Sequence, residues 1–145
     1  MSNAKTIDRI CEIIARYEKL PKGFNDVSAL IDGRKLLATL LFQYANEVGE
    51  LYQEKLGAEF LRKSAFERKR TGHIESGDSA TAAEAKAKGE IFDEMKDEMM
   101  ADGLHKRADL LRQHAGDVLN AMNQHIASLK DERRLETQAQ GSQQR

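Results

Sequence analysis

The chain has 145 residues, of which 32% are charged and 40% hydrophobic, with one proline and a formal net charge of −1 at pH 7. This length fits one domain. Ala, Leu, Glu, Lys and Arg dominate over β-branched residues, which favours an all-α fold and excludes a sheet. A net charge near zero provides no overall attraction to nucleic acid or to an acidic membrane.

The cysteine count and the distribution of apolar residues indicate the compartment. Cys11 is the only cysteine, so an internal disulfide is excluded and a reducing cytoplasm is favoured. No apolar run approaches the length of a membrane span, and the N-terminus lacks the apolar core of a signal peptide. We therefore expect a cytoplasmic protein that does not contact a membrane.

A short first helix is predicted over residues 4–19. The residues of its apolar face recur at helical spacing: Ile7, Ile10, Ile14 and Tyr17. Pro21 ends this helix, because the residue before a proline is pushed out of the α region. Asn25 or Asp26 can then cap the next helix.

The second predicted helix is long and covers residues 26–71. Its apolar row consists of Leu30, Leu37, Leu41, Tyr44, Val48 and Leu51. At 1.5 Å per residue it extends roughly 65 Å, whereas a compact domain of this size is about 30 Å across. We therefore expect an antiparallel partner helix, which gives a short N-terminal helix followed by a long helical hairpin.

The third predicted helix covers residues 80–136 and follows a glycine-containing polar loop over residues 71–79. Thr81 and Glu84 have the spacing of a capping box. A mid-helix glycine costs about 1 kcal/mol relative to alanine, so we predict a kink near Gly103. The helical domain covers residues 1–137, and the polar, Gln-rich residues 138–145 are predicted to be a disordered tail.

Self-association is predicted through the apolar part of the second helix. Apolar side chains nearly encircle that helix at Leu36, Leu37, Leu40, Leu41 and Phe42. A helix that is apolar all round is buried on more than one side, so we expect a homo-oligomer assembled as a helical bundle. Four methionines are interpreted as core-filling residues: Met95, Met99, Met100 and Met122.

Antiparallel pairing would set residues 62–70 roughly against residues 81–89 and collect cations at one end of the hairpin. We call these cations the basic tip: Arg62, Lys63, Arg68, Lys69, Arg70, Lys86 and Lys88. Clustered Lys and Arg can contact the phosphates of a nucleic acid or of another ligand. The alternative is a solvated tip whose cations complement the C-terminal end of the second helix.

An acidic region offers a second candidate site. Glu47 and Glu50 lie one turn apart on one helix, and Glu94 and Asp97 do the same on the next. Carboxylates converging from two helices suit Mg²⁺ or Mn²⁺. The run Glu-Val-Gly-Glu-Leu ending at Leu51 resembles the ExxE helix of MazG-type all-α nucleoside triphosphate pyrophosphatases. This resemblance implies a Mg²⁺-dependent nucleotide hydrolase. The alternative is a solvated acidic face without a cofactor.

A broader resemblance covers most of residues 26–136. The spacing of Tyr44 and Tyr52, the basic run at residues 59–70, the Ala-rich segment 81–87 and the charged segment 126–133 resemble small all-helical bacteriophage proteins encoded near single-strand annealing or recombination genes. This implies a phage or prophage accessory factor in a bacterial host cell. Our hypothesis is a non-enzymatic interaction protein with a phosphate-binding tip. A metal-dependent hydrolase and a purely structural oligomer remain alternatives.

Overall fold

In the computed structural model, which describes residues 3–143, the chain forms four α-helices. These are α1 (Asn3–Glu18), α2 (Val27–Glu75), α3 (Ala80–Glu90) and α4 (Phe92–Gln143). No strand occurs among the described residues, which confirms the all-α prediction. Within the same residues, no helix combines the length and the apolar character needed to cross a bilayer.

The turn between α1 and α2 follows from Pro21 and Gly23. The Phe24 N–H donates to the Pro21 carbonyl over 3.1 Å, and Gly23 has a φ of 83°, which a residue without a Cβ adopts at little cost. The Ala29 N–H then donates to the Asp26 carboxylate over 3.0 Å. This bond makes Asp26 the N-cap of α2, as predicted.

The end of α2 is built as a Schellman motif around Gly77, which has a φ of 98°. The Asp78 N–H donates to the His73 carbonyl and the Gly77 N–H to the Ile74 carbonyl, each over 3.0 Å. This motif carries α2 four residues beyond its predicted end. Ser79, not Thr81, caps α3, because its hydroxyl accepts the Ala82 N–H.

The predicted third helix is interrupted at Ile91 and not near Gly103. Ile91 leaves the helical conformation with φ −111° and ψ 29°, and its side chain is buried. Phe92 then begins α4, with Asp93 and Glu94 in the first turn, where carboxylates favour a helix N-terminus. The helix continues through Gly103, so this glycine lowers helix stability without breaking the helix.

The prediction of a disordered tail is also wrong for most of its length. Helix α4 continues to Gln143, and the side chains from Lys130 to Gly141 are exposed. An existing helix grows by one hydrogen bond per residue without a new nucleation step, and Leu, Glu, Gln and Ala favour this growth. Residues 144 and 145 lie outside the described part of the chain.

The chain divides into two compact units where we predicted one domain. Unit 1 comprises residues 1–46 and 111–145, and unit 2 comprises residues 47–110. Unit 1 has an apolar core formed by three helices. Its buried members are Ile10, Ile13, Ile14, Val27, Leu30, Leu37, Leu40, Tyr44, Ala115, Val118, Met122 and Ile126.

Polar contacts tie the helices of unit 1 to one another. The Nε2–H of His125 donates to the Phe24 carbonyl over 3.0 Å, and the Arg133 guanidinium donates to the Asn25 carbonyl over 3.2 Å. Both carbonyls lie in the α1–α2 turn, so α4 holds this turn in place. These side chains satisfy carbonyls that no helix uses.

Unit 2 has a core of small side chains. Its buried hydrophobic residues are Val48, Ala65, Ala83, Ala87, Ile91 and Ala108. Three ion pairs join α2 to residues near or within α4: Lys55 to Asp102, Arg62 to Glu98, and Lys69 to Glu90. Residues 62–70 therefore contact residues 90–98 through ion pairs, beyond the segment 81–89 expected from the sequence.

Candidate functional site

The cations of the basic tip are present at the surface, but most of them already contact carboxylates. Arg62 and Lys69 pair with Glu98 and Glu90. Four more pairs are local: Lys63–Glu59, Arg70–Glu67, Lys86–Asp78 and Lys88–Glu84. Among the residues that the structure describes, Arg68 is the one member of the tip that contacts no carboxylate. A phosphate would have to compete with six existing partners.

The contacts with the basic tip lower the pKa values of several carboxylates. Hydrogen bonds from Lys63 and Lys88 hold the pKa values of Glu59 and Glu84 below their ordinary range. A hydrogen bond from Lys86 lowers the pKa of Asp78 in the same way. These carboxylates therefore stay charged and continue to neutralise their partners near pH 7.

His73 connects α2 to Asp78, which precedes the N-cap of α3, and to Glu90, the last residue of α3. Its Nε2 lies 2.8 Å from the Glu90 carboxylate, and its Nδ1 lies 3.5 Å from the Asp78 carboxylate. The hydrogen bond with His73, followed by the contact with Lys69, lowers the pKa of Glu90. Lys86 contacts Asp78 from the other side. This network fixes the α2–α3 connection, which gives His73 a structural role.

The acidic candidates do not form a metal site in the part of the chain that the structure describes. No group of three or more His, Cys, Asp or Glu side chains within residues 3–143 could hold a metal ion. Glu50 and Asp97 are exposed, while Glu47 and Glu94 are partly buried. The hydrolase alternative, which requires converging carboxylates, stays a prediction.

Asp102, which sequence reasoning did not single out, pairs with two lysines. It contacts Lys106 over 2.6 Å and Lys55 over 2.7 Å. Hydrogen bonds from Lys106 and then Lys55 lower the pKa of Asp102 to about 2. The same contact with Asp102 raises the pKa of Lys55. Asp102 therefore links α2 to α4 as an ion-pair partner.

The clearest candidate interaction surface is an apolar stripe on α4, which we call the methionine stripe: Phe92, Met95, Met99, Met100 and Leu104. These side chains expose between 43% and 74% of their surface. Their spacing spreads them over about half of the helix circumference, with Met95 and Leu104 at opposite edges. Together with Lys96, Gly103 and Arg107 they line an open groove of about 660 Å³.

The methionine stripe faces away from α2. Glu98 pairs with α2 from the opposite side of α4. The interpretation of Met95, Met99 and Met100 as core residues is therefore wrong, while that of Met122, which is buried, is confirmed.

The apolar part of α2 is largely occupied by packing within unit 1. Leu37, Leu40 and Tyr44 are buried there, and Leu36 and Phe42 remain exposed. Because most of its apolar face is covered, this part of α2 offers less free apolar surface than the sequence suggested. Five exposed large apolar side chains lie close together within residues 92–104 of α4.

A second groove, of about 380 Å³, lies within unit 1 between α1, the α1–α2 turn and α2. Tyr17, Leu20 and Phe24 line it and also pack against the core cluster of Val27, Leu30 and Ile126. Burial raises the pKa of Tyr17. This groove is the edge of the core, so its lining has a structural function.

Comparison with known proteins gives no match to a family model, to a curated protein or to a solved structure. The resemblances to MazG-type pyrophosphatases and to small helical phage proteins therefore stay predictions. The functional interpretation depends on the side chains of the chain itself.

Proposed function

We propose that this protein is a non-enzymatic helical interaction protein that self-associates through the methionine stripe of α4. The exposure of five large apolar side chains on one side of a helix carries the proposal. Contiguous exposed apolar patches of this kind mark interaction surfaces on proteins in water. Methionine suits such a surface because its flexible thioether adapts to different neighbours.

A helical hairpin in unit 2 would present the stripe. The three ion pairs between α2 and the α4 region run in opposite order along the chain: 55 with 102, 62 with 98, and 69 with 90. This order supports the antiparallel arrangement inferred from the sequence. The ion pairs and alanine contacts hold the hairpin together, which leaves the large apolar side chains of α4 available to a partner.

The available area supports a weak assembly. Five large side chains, each half to three-quarters exposed, offer roughly 500 Å² per copy, so a pair would bury about 1,000 Å², near the lower limit for a specific interface. Such an interface predicts concentration-dependent association and not an obligate oligomer. Phosphate binding by the basic tip is less well supported, because six of its seven cations contact carboxylates.

Sedimentation velocity over a wide range of protein concentration tests this function. We expect reversible oligomers in the wild type and a large loss of association in Met99→Lys, because a charge at a 74% exposed stripe position opposes burial. Leu61→Lys is the matched control, since Leu61 is 63% exposed on α2 outside the stripe. A wild type that stays monomeric would disprove the proposal, and equal loss in both variants would exclude the stripe.

A further inference from the structure

The groove residues of α4 point to the partner and its direction. We propose that the methionine stripe binds the same stripe of a second copy, antiparallel, about a two-fold axis between Met99 and Met100. This inference rests on the proposed function and adds the geometry of the interface. A two-fold interface uses one self-complementary patch on both copies.

The apolar members of the stripe match one another when the second helix runs in the opposite direction. Met99 then lies beside Met99 of the other copy on one side of the interface, and Met100 lies beside Met100 on the other side, with Met95 and Leu104 at the edges. All four side chains are exposed in the single chain. Their burial in the pair removes apolar surface from water, which is the main favourable term in association.

The ends of the stripe carry complementary groups. Phe92 lines the N-terminal end of the groove and Arg107 its C-terminal end, and the exposed Asp93 follows Phe92 in the chain. Antiparallel pairing places each Arg107 guanidinium near the Phe92 ring and the Asp93 carboxylate of the other copy. Both contacts are favourable, one as a cation–π interaction and one as an ion pair.

The centre of the groove is also complementary in size. Antiparallel pairing sets Lys96, with its long side chain, opposite Gly103 of the other copy. A Cβ added to Gly103 would meet nothing within 4 Å in its own chain, so packing within the chain does not require glycine there. The open space at Gly103 accommodates the partner's aliphatic Lys96 stem, whose ammonium group reaches water.

Parallel pairing in register does not offer these contacts. It would set Lys96 against Lys96 and Arg107 against Arg107 across the interface, and like charges in direct opposition disfavour association. It would also leave each Asp93 opposite another Asp93. The charges at the ends of the groove therefore select the antiparallel direction.

Disulfide mapping in the full chain tests the direction. The exposed Cys11 is replaced by serine, and Lys96→Cys and Gly103→Cys are introduced into separate preparations. In the antiparallel pair, residues 96 and 103 of different copies face each other, whereas the two residues 96 lie about 10 Å apart along the helix axis. A disulfide needs Cα atoms within about 7 Å. We expect the mixture to form the 96–103 disulfide and each variant alone to stay uncrosslinked.

A charge exchange measures the same geometry without cysteines. Arg107→Glu places carboxylates opposite each other at both ends of the interface, and we expect the dimer dissociation constant to rise about tenfold. Adding Asp93→Lys should return it to within about threefold of the wild type. Thermal unfolding of each variant controls for damage to the fold, since Asp93 lies in the first turn of α4.

The outcomes separate the geometry from the function. Self-crosslinking of Lys96→Cys alone would show parallel pairing and overturn the inference. Oligomers in sedimentation that form no 96–103 disulfide would also overturn it, while leaving self-association intact. If adding Asp93→Lys to Arg107→Glu does not restore dimer affinity, Arg107 of one copy does not contact Asp93 of the other. A wild type that is monomeric at every concentration would refute both the geometry and the proposed function.

Discussion

The two units of this protein are stabilised by different kinds of contact. Unit 1 buries large aliphatic side chains from three helices, including Ile10, Leu30 and Leu37. Unit 2 buries mainly alanines and joins α2 to the α4 region with three ion pairs. In unit 1 the large apolar residues form the core, whereas in unit 2 several of them, such as Phe60, Phe92 and Met99, face water.

This difference explains how a small helical chain keeps an apolar surface free for interaction. Alanine contacts let helices approach closely without large side chains between them, and ion pairs across the helices set their register. Unit 2 can therefore form without burying the methionine stripe. Unit 1 provides the larger share of apolar burial, which is the dominant favourable term in folding. Mutations in the two units should then have different effects.

The largest effect is expected from Leu37→Ala in unit 1. Leu37 is fully buried, and removing such a side chain from a packed core costs about 2–5 kcal/mol because a cavity remains. Urea unfolding monitored by circular dichroism measures the loss. Leu36→Ala is the matched control on the same helix, because Leu36 is 40% exposed and should lose much less. Equal losses in both variants would contradict the assignment of the unit 1 core.

A smaller loss of stability is expected from Ala87→Leu in unit 2, where the cause is overpacking and not a cavity. Ala87 is fully buried on α3, one turn from the buried Ala83. Three added carbons in a closely packed site cost about 1–3 kcal/mol through overpacking. Ala85→Leu, at an exposed position of α3, should change the unfolding free energy little. If Ala87→Leu stabilised the protein, the alanine contacts of unit 2 would contain more space than the structure shows.

The comparison also shows which features the sequence could predict. The α1 stripe, the Asp26 cap and the all-α fold follow from local rules, because helical spacing and capping depend on neighbouring residues. The ion pairs of the basic tip were visible in part, since Glu59–Lys63 and Glu84–Lys88 have i,i+4 spacing. The partners of Arg62 and Lys69 lie on other helices, so local spacing does not predict them.

Other features depend on contacts that local rules do not contain. Helix propensity does not place the break at Ile91, since four isoleucines lie within α1 without ending it. The partner of Asp102 on α2 likewise depends on the register between α2 and α4. The order of charges along the sequence does not define this register.

The two units should also differ in how much stability they lose at low pH. Among the described residues, all the carboxyls with lowered pKa values lie in unit 2: Glu59, Asp78, Glu84, Glu90 and Asp102. A carboxyl whose pKa is lower in the folded state than in the unfolded state stabilises the fold above its unfolded pKa. This contribution is lost as the pH falls through the folded-state pKa. Acid should therefore loosen unit 2 more than unit 1.

Asp102 provides the sharpest test of this difference, because Lys106 and Lys55 lower its pKa from 3.8 to about 2. Its ion pairs stabilise the fold fully above about pH 4 and lose this effect as the pH falls toward 2. We expect the melting temperature of Asp102→Asn to fall less steeply than that of the wild type across this interval. Asp97→Asn is the control, since Asp97 makes no ion pair within residues 3–143, and it should follow the wild type. Hydrogen exchange at both ends of the interval locates the loss: faster exchange confined to unit 1 would contradict the contrast between an aliphatic core and an ion-paired one.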